Sequence, residues 1–453
     1  MTKVNKNPDG ILGRVSKWLQ KTPASATGVA CSIPRSEHSI SRSNISENAL
    51  KVLYRLHKAG YQACLVGGGV RDLLLGLEPK DFDVATDAQP EDVKALFRNC
   101  RIIGRRFRLA HVFYGREIIE VATFRGMGDG DEGQRMQSDE GRILRDNVYG
   151  SIEEDAIRRD FTVNALYYDI KDSSVLDYMN GMQDIQNGVL KLIGDPEQRY
   201  REDPVRMLRA VRFAVKLGFK IHEDTERPIN ELAGLLRDIS PSRLFDESVK
   251  LFLSGQALQV FEMLRHYGLF ESLYPMTEEV LAGEEQGFPH MMVAQAMKNT
   301  DLRLQEGKPV TPAFLYAAIL WEPVRLLTKQ IQDEEDMPEY PAQQKAITRI
   351  LSKQAKYTSV PKRFSQFMRE VWQLQGRFVY LSGMRPYKLL AHPRFRAAYD
   401  FLLLRAGCGE EEQEVADWWT RFQEVSSSEK KKMIKTGTRS RNRRKKRGNN
   451  TQP

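Results

Sequence analysis

The stretch that most restricts how this 453-residue chain can fold is residues 63–87, ACLVGGGVRDLLLGLEPKDFDVATD. Its first four residues are apolar and β-prone, which predicts a short buried strand. Gly67, Gly68 and Gly69 follow at once and let the backbone turn tightly and approach a bound group closely. The residues after them predict a helix, a loop and a second strand.

The second predicted strand carries Asp81 and Asp83 with Phe82 between them. Side chains alternate across a strand, so both carboxylates are expected on one face and Phe82 on the other. Carboxylates grouped in this way suit Mg²⁺, which usually takes one or two of them together with substrate phosphates. Because free N–H groups at a helix start bind phosphate, the stretch predicts a site for a nucleotide and Mg²⁺.

Length and composition are those of an ordinary multidomain soluble protein. The 453 residues allow two to four domains, with 41% apolar and 28% charged residues. No apolar run approaches the ~18 residues of a membrane span. The four cysteines lie far apart without a CxxC pair, which excludes a zinc ribbon or disulfide framework and predicts a cytoplasmic location.

The basic residues are concentrated at the C-terminal end. The net charge of the chain is +9, and the eleven lysines and arginines from residue 430 onward contribute +11. The rest of the chain is therefore close to neutral. We expect residues 426–453 to form a basic disordered tail. It is either a solvated extension or an electrostatic arm for RNA or anionic lipid.

Several other segments have a local pattern. Residues 1–44 are expected to be a mostly disordered extension, with an amphipathic stretch at 11–19 that is either a marginal helix or a docking helix. Asn180–Gly181 predicts the turn of a short hairpin over residues 174–193. Residues 256–425 read as successive helices.

Glu120 lies among apolar residues on the return strand of a hairpin predicted for residues 101–125. An acid at such a position is costly unless it is paired or binds a metal ion. It is either a third carboxylate beside Asp81 and Asp83 or the partner of a nearby arginine.

The order GGGVRD and then DFDV resembles the nucleotidyltransferase superfamily of DNA polymerase beta. More narrowly, it resembles the class II branch of bacterial poly(A) polymerases and CCA-adding enzymes. RRDFTVNA (158–165) and EDPVR (202–206) are similar to further motifs of that branch. GRRFRLAHV (104–112) and HPRFRAAYDFLLLRA (392–406) are similar to its poly(A) polymerase subgroup.

The resemblance implies an α+β fold, with a polymerase-beta-like head containing a small mixed sheet and helices, followed by an all-α neck and body. Its expected parts are an N-terminal extension (1–44), a catalytic head (45–170), a neck for base recognition (171–238), an RNA-binding helical body (239–425) and the basic tail (426–453).

It also implies an enzyme that adds AMP from ATP to RNA 3′ ends without a template and releases pyrophosphate, which promotes RNA turnover. RNA 3′ ends, ATP and RNA-degradation proteins are then the expected partners of a monomeric chain. The alternatives are a CCA-adding tRNA nucleotidyltransferase and a catalytically inactive RNA-binding protein.

Residue by residue, the resemblance assigns catalysis to Asp81, Asp83 and Asp160. The expected ligands of two Mg²⁺ ions are Asp81 and Asp83, together with Glu120 because of its place on the predicted strand. Glu120 and Asp160 remain alternatives for the third catalytic acid. The residues assigned to the nucleotide are Gly67, Gly68, Gly69, Arg71, Arg159, Asp203, Arg206 and Arg209.

Overall fold

The computed structural model of the chain describes residues 31–104, 108–126, 135–137, 143–146, 148–283, 291–409 and 413–434. The chain divides into two units, the first ending at Leu232 and the second beginning at Ala233. The first combines a sheet with helices and the second is helical, which confirms the α+β expectation. None of the helices in these ranges is long and apolar enough to cross a membrane.

The main sheet of the first unit has eight strands within the described residues. They are β1 (Cys31–Ile33), β2 (Ala63–Val66), β3 (Asp83–Thr86), β4 (Cys100–Ile103), β5 (Leu109–Tyr114), β6 (Glu117–Thr123), β9 (Leu166–Asp169) and β10 (Val175–Asp177). Their order is β1-β10-β9-β2-β3-β6-β5-β4. All neighbours are antiparallel except β3 and β6, which are parallel. Two separate pairs are β7 (Arg135–Gln137) with β8 (Ile143–Asp146), and β11 (Val189–Leu190) with β12 (Lys220–Ile221).

The helices of the first unit lie between these strands and after the last of them. They are α1 (Glu47–Lys58), α2 (Gly68–Leu74), α3 (Pro90–Leu96), α4 (Ile152–Arg158), α5 (Gly181–Asn187), α6 (Pro196–Glu202), α7 (Val205–Leu217), α8 (Glu223–Glu226) and α9 (Ile229–Leu232). The hydroxyl of Ser46 accepts hydrogen bonds from the N–H groups of Asn48 and Ala49, which caps the start of α1. Ser151 and Glu154 form a capping box at the start of α4.

The second unit consists of successive helices, as expected from the sequence. They are α10 (Pro241–Phe252), α11 (Ala257–His266), α12 (Leu269–Leu273), α13 (Pro275–Ala282), α14 (Met291–Gln305), α15 (Pro312–Ile319), α16 (Trp321–Glu335), α17 (Glu339–Gln354), α18 (Lys362–Gln375), α19 (Arg385–Leu390), α20 (Phe395–Gly407) and α21 (Gln413–Glu424). Buried aromatic residues such as Phe378 and Trp419 form part of its core, so these rings are packing residues.

The N-terminal extension differs from the expectation that residues 1–44 are mostly disordered. Residues 1–30 lie outside the described part of the chain, but β1 pairs with β10 at the edge of the main sheet. Ile33 and Ile40 are buried, and His38 Nε2 lies 2.8 Å from the Ser173 carbonyl. Polar composition concealed these contacts because a few buried isoleucines are enough to attach a short segment to a sheet.

The predicted hairpin at 174–193 is wrong. β10 joins β9, and the chain then enters α5. The carboxylate of Asp177 accepts N–H groups from Met179, Gly181 and Met182, which holds the start of this helix. Because β10 belongs to the head sheet, that sheet continues beyond the expected boundary at residue 170.

The basic tail begins later than expected. Residues 427–434 are helical. Ser426 and Glu429 exchange backbone-to-side-chain hydrogen bonds at the start of this helix. Met433 and Ile434 pack against the core cluster that contains Trp419, which explains why this part is ordered despite its charge. Residues 435–453, with most of the basic side chains, lie outside the described residues.

Ile40→Ala should lower the free energy of unfolding by about 2–5 kcal/mol, because Ile40 is fully buried and truncation leaves a cavity. Thermal melts of the purified protein measure this loss. Ile103→Ala is the matched control, since 39% of Ile103 is exposed. Equal melting temperatures for the two variants would contradict the attachment of residues 31–44 to the first unit.

Candidate active site

The glycine turn lies between β2 and α2. Gly67 has φ +73° and ψ −135°, a conformation that residues with a Cβ rarely adopt. A Cβ added to Gly69 would stand 3.3 Å from the carbonyl oxygen of Asp81. The turn therefore packs directly against the chain segment that carries the aspartates. The first N–H groups of α2 have no partner within the helix and are available to an anion.

Asp83 and Glu120 are brought together by the sheet. Asp83 is the first residue of β3 and lies opposite Glu120 in the parallel pairing with β6. On its other side, Asp83 lies opposite Val66, the residue that precedes the glycine turn. The Glu120 carboxylate is 3.2 Å from His111 Nε2. Of the two alternatives for Glu120, the structure therefore supports a place beside Asp83.

Burial and the charge of Glu120 raise the pKa of Asp83 to about 6, with a further contribution from Asp81. Arg159 and His111 act in the opposite direction. A cation beside these carboxylates would relieve the repulsion, so the donor set fits Mg²⁺. Among the described residues, no group of three or more His, Cys, Asp or Glu side chains is arranged as a preformed metal cluster. This is consistent with an ion that takes some of its ligands from substrate and water.

Asp81 lies two residues before Asp83 but outside the strand, which begins at Asp83. It is exposed, and Phe82 is half-buried. The prediction that β3 includes Asp81 is thus wrong by two residues. The charge of Asp81 nevertheless acts on Asp83, which places the two carboxylates near each other.

Arg159 is held beneath the glycine turn. Its Nε and Nη2 atoms lie 3.1 and 2.9 Å from Asp155 Oδ2, and Nε donates to the hydroxyl of Tyr167 at 2.9 Å. Its Nη1 atom is 3.5 Å from the position of a Cβ on Gly67. Although burial alone lowers the pKa of Arg159, Tyr167 and Asp155 raise it above its usual value. A fixed positive charge therefore lies beside the turn and close enough to Asp83 to lower the pKa of that carboxyl.

Asp160 has a different set of neighbours. Its Oδ1 atom accepts hydrogen bonds from the N–H of Phe161 and from Asn164 Nδ2, and its Oδ2 atom is 2.6 Å from Arg209 Nη2. Burial alone raises the pKa of Asp160, but Arg209 and these hydrogen bonds hold it below its usual value. This carboxylate is therefore ionised and holds Arg209 of α7.

Arg71 is also occupied by protein groups. It is buried and donates to Asp72 Oδ1 at 2.9 and 2.6 Å and to Asn164 Oδ1 at 2.5 Å. Asp72 Oδ2 in turn accepts from Lys216 at 3.0 Å. Asn164 also donates to Asp160, which holds Arg209, so these groups join α2 to the second turn and to the C-terminal end of α7. The structure thus indicates that Arg71 helps to position α2 and α7. The sequence had assigned it only to the nucleotide.

The EDPVR motif (202–206) lies at the junction of α6 and α7. Asp203 is the C-terminal cap of α6, and α7 begins two residues later at Val205. Glu202 accepts from Arg199 and from Arg206, both at 3.0 Å. Burial and the charge of Arg206 lower the pKa of Arg199 to about 10. Arg206 and Arg209 are therefore held by acids that precede them in the chain.

Sequence reasoning missed several residues that hold these groups. Asp155 could have been found, because it precedes Arg159 by four residues on a helix, the spacing of an ion pair. His111 and Tyr167 have no such signal, since strand pairing decides their neighbours. In the GRRFRLAHV segment, Arg108 pairs with Glu91, while Arg105 and Arg106 lie outside the described residues.

Asp83→Asn should raise the melting temperature of the metal-free protein at about pH 7.5. The pKa of Asp83 is about 6 in the folded chain and about 4 in an unfolded one. Ionisation therefore costs the folded state about 2–3 kcal/mol above pH 6, and this cost disappears as the pH falls toward about 4.

Melts in EDTA at about pH 7.5 and about pH 4.5 measure the stabilisation at the two ends of this range. Asp81→Asn is the matched control and should change little, because Asp81 is exposed. A melting temperature of Asp83→Asn below that of the wild type at about pH 7.5 would show that the ionised Asp83 carboxylate does not destabilise the folded protein.

Asp72→Ala should lower the free energy of unfolding by about 3–5 kcal/mol, because it leaves buried Arg71 without its carboxylate. Lys216→Met should cost less than about 1 kcal/mol, since 41% of the Lys216 side chain is exposed and its ion pair is screened. Thermal melts compare the two variants. Equal losses would contradict the view that Arg71, and not Lys216, depends on Asp72.

Three family models match the chain. They are described as "Poly A polymerase head domain" over residues 63–191, "Probable RNA and SrmB- binding site of polymerase A" over residues 218–281, and "Polymerase A arginine-rich C-terminus" over residues 335–452. The first of these ranges contains the glycine turn, both aspartates and Asp160.

Known proteins match along most of the chain. It is 52% identical over 407 residues to "Poly(A) polymerase I" of Salmonella typhi, covering 89% of this chain and 88% of that protein. A "CCA-adding enzyme" of Lactobacillus helveticus is 38% identical, but over 50% of this chain and 54% of its own.

A solved "tRNA-processing enzyme (apo form I)" has a similar fold, with a TM-score of 0.57 and 23% identity over 86% of this chain and 94% of that one. Since the Salmonella protein matches at more than half of all aligned positions along nearly the whole sequence, the chain belongs to the bacterial poly(A) polymerase I family.

Proposed function

We propose that this chain adds AMP from ATP to the 3′ ends of RNA without a template and releases pyrophosphate. The observation that carries the proposal is the pairing of Asp83 with Glu120 beside the glycine turn. This arrangement places the half-buried carboxylates of Asp83 and Glu120 next to backbone N–H groups and Arg159, which together suit a triphosphate and its cation.

In the proposed reaction, the 3′ oxygen of RNA forms a bond with the α-phosphorus of ATP. The bond from that phosphorus to the oxygen bridging to the β-phosphate breaks, and pyrophosphate leaves. The turn formed by Gly67, Gly68 and Gly69 holds the triphosphate, and Arg159 balances its charge. Positioning and charge stabilisation supply most of the rate in such a transfer.

Asp81, Asp83 and Glu120 would hold Mg²⁺ in this reaction. When bound, the ion neutralises phosphate charge and lowers the pKa of the attacking hydroxyl. The raised pKa of Asp83 supports this placement, because a carboxylate that is costly to ionise alone is well suited to a cation.

For the choice of nucleotide, we propose that Asp203 and Arg206 contact the edge of the base. Glu202 orients Arg206 through the 3.0 Å contact, and Asp160 holds Arg209 on the same helix. In this proposal Asp160 positions the base-reading helix, and Glu120 is the third acid at the metal.

The two candidate acids can be separated by substitution. Glu120→Gln should raise the Mg²⁺ concentration needed for half-maximal AMP addition by at least about tenfold. Asp160→Asn should instead raise KM for ATP and leave the Mg²⁺ dependence close to that of the wild type, because its partner is Arg209. The opposite pattern, with the Mg²⁺ dependence changed by Asp160→Asn, would assign the third acid to Asp160.

The function is tested by incubating the protein with a generic RNA, Mg²⁺ and each nucleoside triphosphate in turn. Long ladders with ATP alone are expected. Incorporation of C that stops after a few additions would indicate a CCA-adding enzyme, and no incorporation an inactive RNA-binding protein.

Asp81→Ala and Asp83→Ala should abolish the ladders and leave RNA affinity within about twofold, since neither side chain is assigned to RNA. Substantial residual ladders would contradict the assignment. Four other expectations stay predictions. They are RNA-degradation proteins as partners, a monomeric state, a cytoplasmic location and the role of the basic residues after 434.

A further inference from the structure

The second unit contains a cavity of about 680 Å³ that no residue of the first unit lines. Its walls come from α14, the start of α15 with the segment before it, α18, and α20 with the residues just before it. Binding sites for small molecules and single nucleotides have volumes of about 300–1,000 Å³. The cavity is thus large enough for one nucleotide.

The inner wall of the cavity is apolar. Phe314 and Phe367 line it and are half-buried, which leaves part of each ring accessible. Ala397 and Leu403 of α20 line it as well. Such a surface suits a flat aromatic group, because a nucleobase gains by stacking on aromatic and apolar side chains whatever its sequence context.

One edge of the cavity carries a pair of amides. Gln295 Nε2 donates to Asn299 Oδ1 at 2.8 Å, and both residues line the cavity. This bond leaves Oε1 of Gln295 as an acceptor and Nδ2 of Asn299 as a donor. An acceptor next to a donor is the pattern with which amide side chains contact N6 and N7 of adenine.

The lining is also positively charged. It includes Arg303, Arg394 and Arg396 and one acid, Asp400. Asp400 lies 3.1 Å from Arg396, whose side chain is 74% exposed. Arg394 stacks over the ring of Phe367 at 5.1 Å and pairs with Glu370. The exposed arginines can reach a phosphate while the base lies inside.

We propose that this cavity binds one unpaired adenine nucleotide of the RNA chain, with the base against Phe314 and Phe367 and the phosphate at the arginines. This inference rests on the proposed function, since the growing adenylate chain is both the product and the next substrate. A nucleotide held here would keep the RNA attached to the second unit between additions.

The test compares binding of oligo(A) and oligo(U) of equal length to the full chain, by fluorescence anisotropy without ATP. Ala397→Trp fills the cavity and removes no charge. It should weaken oligo(A) binding at least about fivefold, the loss expected for one stacked base. It should weaken oligo(U) binding less, and the salt dependence should not change.

Arg396→Gln tests the phosphate contact separately and is compatible with folding, because Arg396 is largely exposed. It should reduce the log–log salt slope of oligo(A) binding by about 0.7. Arg349→Gln is the matched control, since Arg349 is exposed and does not line the cavity. This control should leave the slope unchanged.

Wild-type affinity for oligo(A) in both Ala397→Trp and Arg396→Gln would overturn the proposal. Equal losses for oligo(A) and oligo(U) would overturn the assignment to adenine. If Ala397→Trp removed binding of free ATP but not of RNA, the site would belong to a free nucleotide and the proposal would fail.

The AMP ladders made by the wild type at saturating RNA test the proposed function separately. A protein that makes no ladders but shows the oligo(A)-specific loss would refute the function and support the cavity. A protein that makes ladders but shows no oligo(A)-specific loss would support the function and refute the cavity proposal.

Discussion

The repulsion between Asp83 and Glu120 is the constraint on which the rest of the site depends. The only parallel pairing among neighbours of the main sheet, as far as the structure describes it, sets these carboxylates side by side. Burial and this proximity raise the pKa of Asp83, so ionising Asp83 beside Glu120 is costly, and a cation bound there would relieve the cost. The fold tolerates this strain because one strand on either side holds β3 in register.

The charged side chains around the site are paired, and each pairing holds its side chains in one position. Asp155 and Tyr167 hold Arg159, and Asp160 holds Arg209. Buried ion pairs add little net stability, but the loss of one partner is expensive. Such a network therefore favours a single arrangement of the turn and of α7, which matches the need of phosphoryl transfer for precise placement.

Local pattern predicted much of the chain correctly, and its failures have physical causes. β2, the cap of α1 at Ser46 and the capping box at Ser151 follow from nearby residues alone. Residues 31–44 and 427–434 are ordered by distant apolar contacts that composition does not show. The predicted hairpin at 174–193 failed because the Asp177 carboxylate starts a helix where Asn-Gly usually turns a strand.

The sequence by itself determined the glycine and aspartate motif, the order of its parts and the family, because glycines, acids and arginines at these spacings have few other uses. Only the tertiary structure decided which acid accompanies Asp83. Glu120 and Asp160 are equally plausible along the chain, and their neighbours depend on strand register and on the packing of α7. Register and packing join residues far apart in sequence, so no local pattern contains them.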